Sequence, residues 1–311
     1  MRSCSSQLGW CVVAVGALVL GSAVPVCAAD SGGVTLRYKF KQGETLPYQL
    51  QQKMDMTMSV GGQEIPMKMD MAMDIDWKVQ DVKDGSADVS QTVKHVHFTM
   101  DGGGPIGKVE YDSKTNKEPE GPVGKAMAPL FNSMVGGAFT FTMSPEGTVS
   151  NFKAPEKFTE AVKNAPGGGG GMFSPDQFKQ MVQQSIPLPK EPVAKGKKWD
   201  QKLNVKLGPV GTMTGKNIMT YEGSTEEHGK ELQKIAFKPE VKLTPAEGSP
   251  IKFELKKQDA KGTMLFDNKA GHIVQTNLTQ TMELAASIGG QDMTQKIKQT
   301  VSMKLAGSGN K

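Results

Sequence analysis

The chain has 311 residues, 37% hydrophobic, 22% charged and only 6% aromatic, with a formal net charge of +5. Those proportions exclude a polytopic membrane protein, a collagen-like fibre and a wholly disordered chain. Gly (36), Pro (18) and Met (20) are abundant while His (4) and Cys (3) are scarce, which points to a turn-rich globular protein.

Residues 1–29 read as a signal peptide. Arg2 supplies the positive start. The apolar run Trp10–Leu20 is too short to span a bilayer, and Cys27-Ala28-Ala29 puts small residues at a cleavage site before Asp30. The expected product is exported, periplasmic or extracellular, cleaved after Ala29, and left with no transmembrane segment. Cys4, Cys11 and Cys27 all leave with the signal. The mature chain is then cysteine-free, with no disulfide, no thiol nucleophile and no thiolate metal site. Losing Arg2 lowers the net charge to +4, which is solubility charge and no footprint for nucleic acid.

After a short strand expected near Val34–Phe40 comes the most informative feature, a self-match. Residues 50–75 (LQQKMDMTMSVGGQEIPMKMDMAMDI) align with residues 278–303 (LTQTMELAASIGGQDMTQKIKQTVSM) at a constant offset of 228. Apolar and polar residues alternate on both sides of Gly61-Gly62, the pattern of a β-hairpin with a two-residue primed turn. That loop length pairs Val60 with Gln63. Met58 then faces Ile65, Met56 faces Met67 and Met54 faces Met69 on one side, while Asp55 faces Lys68 and Lys53 faces Asp70 on the other. Pro66 falls opposite Thr57 in a non-hydrogen-bonded pair, where its missing N–H is harmless. The second copy pairs Glu283 with Lys296 in the same register.

Beyond the turn at Lys83-Asp84-Gly85, residues 86–101 switch parity and predict a β-bulge near Lys94–His95. Gly102 to Pro105 is a turn, Lys108–Asp112 a strand and Ser113–Pro122 a polar loop. A helix is expected over 123–135 despite Pro129, then a small hairpin (Ala138–Met143 and Thr148–Phe152) and a helix from Pro155 to about Lys163. Another helix is expected from the capping box at Ser174, with the stripe Phe178, Met181, Val182 and Ile186, after the flexible loop Pro166–Gly171. Residues 186–198 read as a linker, followed by a meander of strands at 199–207, 211–222, 231–243, 251–258, 261–267, 272–287 and 292–305. The expected fold is mainly β: long twisted antiparallel sheet, half-barrel or sandwich-like, with two or three short helices inserted mid-chain. The expected domains are an N-terminal β lobe (30–189, helical insertion about 123–186) and a C-terminal β lobe (190–311) with a disordered tail at 306–311. Whether the two lobes share a sheet is left open.

Several segments, taken together, resemble an uncharacterised family of exported, β-rich bacterial proteins carrying a domain of unknown function. They are Leu36-Arg37-Tyr38-Lys39-Phe40 with Gly43-Glu44, the Met/Gln-rich hairpin, Gly196-Lys197-Lys198-Trp199, and Phe266-Asp267 followed by Gly271-His272. The resemblance covers nearly all of the mature chain and brings no activity with it. The overall plan is also similar to periplasmic lipoprotein carriers, whose curved antiparallel sheet holds helices or an acyl chain.

Met54, Met56, Met58, Met67, Met69, Met71 and Met73 form a stripe on one face of the first hairpin. Thioethers can ligate Cu(I), or serve as an adaptable apolar surface. The repeat favours the second use, since Met56, Met58, Met69 and Met73 become Leu284, Ala286, Ile297 and Val301. His95 and His97 share a strand face, but no third metal ligand is indicated. The sequence lacks a phosphate loop ending in Gly-Lys-Ser/Thr, a G-x-S-x-G elbow and an H-E-x-x-H pair. The expectation is a non-catalytic binding protein without cofactor or metal, using the Met-lined face for a lipid-like ligand or an envelope protein. The alternatives are a structural or scaffolding envelope component and, third, a Cu(I)-handling protein.

Overall fold

Side chains on an extended strand point to opposite faces by turns, so alternating segments fold as strands with one apolar face. The computed structural model describes residues 33–103, 107–115, 119–164, 187–206, 211–247, 251–288 and 291–307. Its strands are β1 (Thr45–Val60), β2 (Gln63–Lys83), β3 (Ser86–Asp101), β4 (Lys108–Asp112), β5 (Ala138–Met143), β6 (Val149–Lys153), β7 (Lys198–Lys206), β8 (Gly211–Glu227), β9 (Lys230–Pro245), β10 (Ile251–Asp267), β11 (His272–Ile288) and β12 (Gln291–Leu305). All join one twelve-stranded antiparallel sheet in the order β6-β5-β3-β2-β1-β12-β11-β10-β9-β8-β7, with β4 paired to β3 off that path. The helices are α1 (Gly121–Met134) and α2 (Glu156–Asn164). The fold is therefore mainly β, an open antiparallel sheet with short helices inserted mid-chain. The helix expected after Ser174 lies outside the described residues, as does the signal peptide with its three cysteines.

The first hairpin has the register read from its alternation. Val60 pairs with Gln63, Met56 with Met67, Met54 with Met69, Asp55 with Lys68 and Lys53 with Asp70. Gly61 (φ 56°) and Gly62 (φ 82°) carry the two positive angles of a type I′ turn. Pro66 faces Thr57, and its nitrogen points toward the side where the β2–β3 ladder begins only at Lys68 and Asp101. The second hairpin pairs Glu283 with Lys296, and its Gly-Gly turn lies outside the described residues. The bulge in β3 falls at Lys94, between the pairs Asp74–His95 and Ile75–Val93.

The two copies of the repeat lie side by side, because β1 pairs with β12 from Tyr48–Leu305 to Val60–Met293. Each hairpin maps onto the next by a step of two strands, about 10 Å. Val60 faces Met293, which faces Ala286, whereas the repeat makes Val60 the counterpart of Ile288. The copies are thus staggered by two residues, and an even stagger leaves every apolar residue on the same face. This seam joins the N-terminal and C-terminal strands into one sheet.

Two local expectations are corrected. Val34–Phe40 is not a strand. Val34 makes an isolated bridge with Val193, Tyr38 N donates to Pro145 O and Lys39 N to Gly271 O. Its backbone partners are scattered because the segment plugs the core, with Leu36 and Tyr38 buried. Residues 251–258 and 261–267 are one strand, since a register shift between Leu255 and Lys257 absorbs the irregularity that looked like a break.

The main core gathers Val79, Val89, Phe141 and Met143 from one flank of the sheet and Met219, Ile235, Phe237, Met264 and Phe266 from the other, around Leu36 and Tyr38. Both flanks reach a common core only because the sheet curls around the plug. The stretch read as a linker also belongs here, through Leu188 and Val193. Arg37 fastens it: Nη1 donates to Pro189 O (2.6 Å) and Nη2 to Lys190 O, while Nε lies 3.2 Å from Glu146 Oε1. α1 covers the concave face of β2–β4, where Phe131 meets Phe98 and Tyr111 at ring distances of 5.1 and 5.0 Å. α2 packs Phe158 and Val162 against Leu130 and Phe139.

Two outcomes are expected. A Cβ on Gly262 would lie 2.2 Å from the Phe237 ring and 2.6 Å from Asn277 O. Gly262→Ala should cost about 2–3 kcal/mol in urea unfolding, and adding Phe237→Leu should cost less than the sum of the single changes. On the convex face Asp55 lies between Lys68 and Lys298. Asp55→Asn should cost only about 0.5 kcal/mol, shrinking at high salt.

Candidate functional site

The face of β1 that carries Met54, Met56 and Met58 continues across β12 as Met293, Gln295, Ile297 and Gln299, and across β11 as Met282, Leu284 and Ala286. It is the concave face of the curl, the one on which the core residues Met264 and Ile235 also lie. Core and plug fill only one end of it. Toward the hairpin tips the concave side chains are half-buried, among them Leu203 and Val205 on β7, Val241 and Leu243 on β9, and Ile65 on β2. Residues on the opposite face of β1, from Thr45 to Asp55, are exposed. The result is an open apolar trough continuous with a packed core.

All seven methionines singled out from the sequence lie on this face, and all are half-buried. They divide into two groups. Met69, Met71 and Met73 pack with Val96, Phe98 and Phe131 beneath α1. Met54, Met56, Met58 and Met67 belong to the trough. Met56 Sδ accepts from Gln295 Nε2, and across the trough Met282 Sδ accepts from Gln280 Nε2 at 3.0 Å.

The trough's carboxamides were not picked out from the sequence. Asn217 pairs with Gln201, and Gln280 with Gln299. Gln258 Oε1 accepts from Val241 N at 3.0 Å, just beyond the last β9–β10 pair, Phe237–Gly262. A signal for them existed in the repeat. The second copy has Gln295 and Gln299 where the first has Met67 and Met71, so the two hairpins share their apolar period and differ in polarity at fixed positions.

His95 and His97 are engaged elsewhere. His95 Nε2 donates to Asp112 Oδ1 (2.8 Å), with Nδ1 3.4 Å from Asp74 Oδ2, and His97 Nε2 lies 3.7 Å from Glu110 Oε1. The backbone N–H of Lys114, and then His95, hold Asp112 below the usual carboxylate range. No group of three His, Cys, Asp or Glu side chains suited to a metal ion occurs among the described residues. At the plugged end, burial pushes the Tyr38 and Tyr48 hydroxyls far above ordinary phenols, and Tyr48 OH donates to Ile273 O (2.9 Å).

The remaining motif residues build the plugged end. Trp199 Nε1 donates to Pro187 O (2.9 Å), and Gly196 N donates to Tyr221 O (2.7 Å). Asp267 Oδ1 accepts from the backbone N–H groups of Lys269 (3.0 Å) and Ala270 (2.9 Å). Gly271 (φ 79°) passes so close to Lys39 that a Cβ would lie 2.3 Å from its backbone nitrogen. These residues hold the plug and leave the trough to the hairpins.

None of the described helices is long and apolar enough to cross a membrane. Among solved structures, lipovitellin, studied for its lipid–protein interactions, is similar at a TM-score of 0.46 and 12% identity over 88% of this chain. This chain covers only 26% of that one. DynF of the dynemicin biosynthesis pathway of Micromonospora chersina is similar at 0.24 and 8% identity, covering 93% of this chain and 92% of its own. An outer membrane channel from Pseudomonas putida F1 is similar at 0.24 and 6% identity, over 89% and 98%. None of the curated proteins matches the sequence. A family model does match, over residues 84–273, from the β2–β3 turn to the start of β11, and the chain belongs to the family of unknown function DUF6263.

Proposed function

We propose that this protein is a non-catalytic, exported binding protein whose concave face takes the alkyl part of a lipid-like ligand. The observation that carries the reading is the unfinished burial of that face. A sheet that packs one end of its apolar side around a plug leaves the other end half-buried, with long, unbranched and adaptable methionines set among branched aliphatic side chains. Burial of apolar area contributes roughly 25 cal/mol per Å², so an alkyl chain laid along the trough completes what the fold leaves open. The division of the methionines supports the same reading, since one group already packs under α1 as ordinary core. Export rests on the signal-peptide pattern of residues 1–29.

Native mass spectrometry of the purified protein tests this directly. Co-purified lipid is expected; a lipid-free protein that takes up stoichiometric Cu(I) would replace the reading with metal handling, and a lipid-free self-assembling one with a structural role. The variant carrying Leu at Met54, Met56, Met69 and Met73 should fold, at below about 1.5 kcal/mol per swap, and keep its lipid. Met69→Asp puts a charge under α1 and should cost about 3 kcal/mol. Met67→Asp, in the open trough, should cost far less stability yet lose the lipid.

A further inference from the structure

An alkyl chain accounts for the apolar rows of the trough and not for its amides. Among the described residues, the concave face of β1, β7–β9, β11 and β12 beyond the plugged end carries no Asp, Glu, Lys, Arg or His. Its polar side chains there are carboxamides. Two of these donate to weak acceptors: Gln280 Nε2 to the Met282 thioether (3.0 Å) and Gln295 Nε2 to that of Met56. Asn217 is only 7% exposed, and its Oδ1 has no partner; the buried Gln258 Nε2 has none either. An unmet buried donor or acceptor is costly, and buried polar groups ordinarily find partners. Four amides on four strands of the concave face therefore have hydrogen bonds that are weak or unmade.

We infer that the trough binds a neutral amphiphile carrying ester or amide groups, of the acylglycerol kind. Resting on the proposed apolar-face function, this names the chemical class of its ligand. Carbonyl oxygens of the ligand take the amide donors of Gln280 and Gln295 from the thioethers, which return to apolar packing, and a third accepts from Gln258 Nε2. A ligand hydroxyl or amide N–H donates to Asn217 Oδ1. A carboxylate, phosphate or ammonium head would be stripped of water there without a counter-charge, so charged lipids are disfavoured. The methionines beside the amides occupy the donors while the trough is empty, at little cost in apolar surface.

The test is displacement of a neutral fluorescent naphthylamine from the full chain by three probes of equal chain length: monooleoylglycerol, oleate at alkaline pH and the matching hydrocarbon. Monooleoylglycerol should compete at about tenfold lower concentration than either of the others, which is what one or two net hydrogen bonds contribute. Gln280→Leu combined with Gln295→Leu should keep the naphthylamine and the hydrocarbon and cut the ester preference to about threefold or less. Asp55→Asn on the convex face should keep it whole. Equal competition by all three probes, a preference for oleate, or an ester preference that survives in the double variant overturns the inference. Should that variant not fold, the wild-type ranking decides alone. If neither the naphthylamine nor any lipid binds, the apolar-face function itself fails, which is a separate result from a trough that binds without ranking.

Discussion

A sheet with one apolar face has to find something to lay that face against, and the rest of this structure follows from how twelve strands meet the requirement. The extended segment at Leu36–Tyr38 is too narrow to cover such a sheet flat, so the sheet curls until β3 and β5 on one flank and β8–β10 on the other share its side chains. α1 covers a second area over β2–β4. Between these two covered areas and the hairpin tips the supply of covering elements among the described residues ends, and half-burial begins. The trough is thus a remainder, defined by where packing stops. That explains why its lining changes gradually from fully buried Met219 and Met264 to half-buried Met213 and Met282 without any change in strand geometry.

What was legible in the sequence was whatever depends on neighbours along the chain. Period-two alternation with Gly61-Gly62 determines the hairpin register, because a slip of one residue would turn Met54, Met56 and Met58 outward. The parity switch at Lys94 and the Asp84-Gly85 turn are equally local. The seam between β1 and β12 is not, because nothing near Met56 states that Ile297 will lie beside it. Val34–Phe40 departs from its sequence pattern for a related reason: its alternation fits a strand, but its bonds go to Val193, Pro145 and Gly271, none adjacent in sequence. At the trough, the Met stripe was visible as a stripe. Its division by α1 and the part played by Gln280, Gln295, Asn217 and Gln258 needed the positions of distant strands.

The repeat shows how one hairpin design serves two purposes. Both copies keep a Gly-Gly pair in sequence, a charged convex face and an apolar concave one, so both fit the same sheet at a two-residue stagger. They differ in polarity at a few concave positions. Under α1 the first copy has Met69, Met71 and Met73 where the second has Ile297, Gln299 and Val301, and in the trough Met67 of the first answers Gln295 of the second. These exchanges leave the strand geometry that the copies share unchanged.

The seam between β1 and β12 also bears on how the chain assembles. Its partners, such as Met56 and Ile297, are separated by most of the chain, so closing it carries the entropy of a very long loop and rewards it only at the end. Pairings of such sequence separation form slowly. Until β12 arrives, β1 has an unpaired edge beside an apolar face, the kind of surface that draws other chains. The alternating Lys53 and Asp55 on the outward face of that edge give it charges that blunt such encounters while the chain is incomplete.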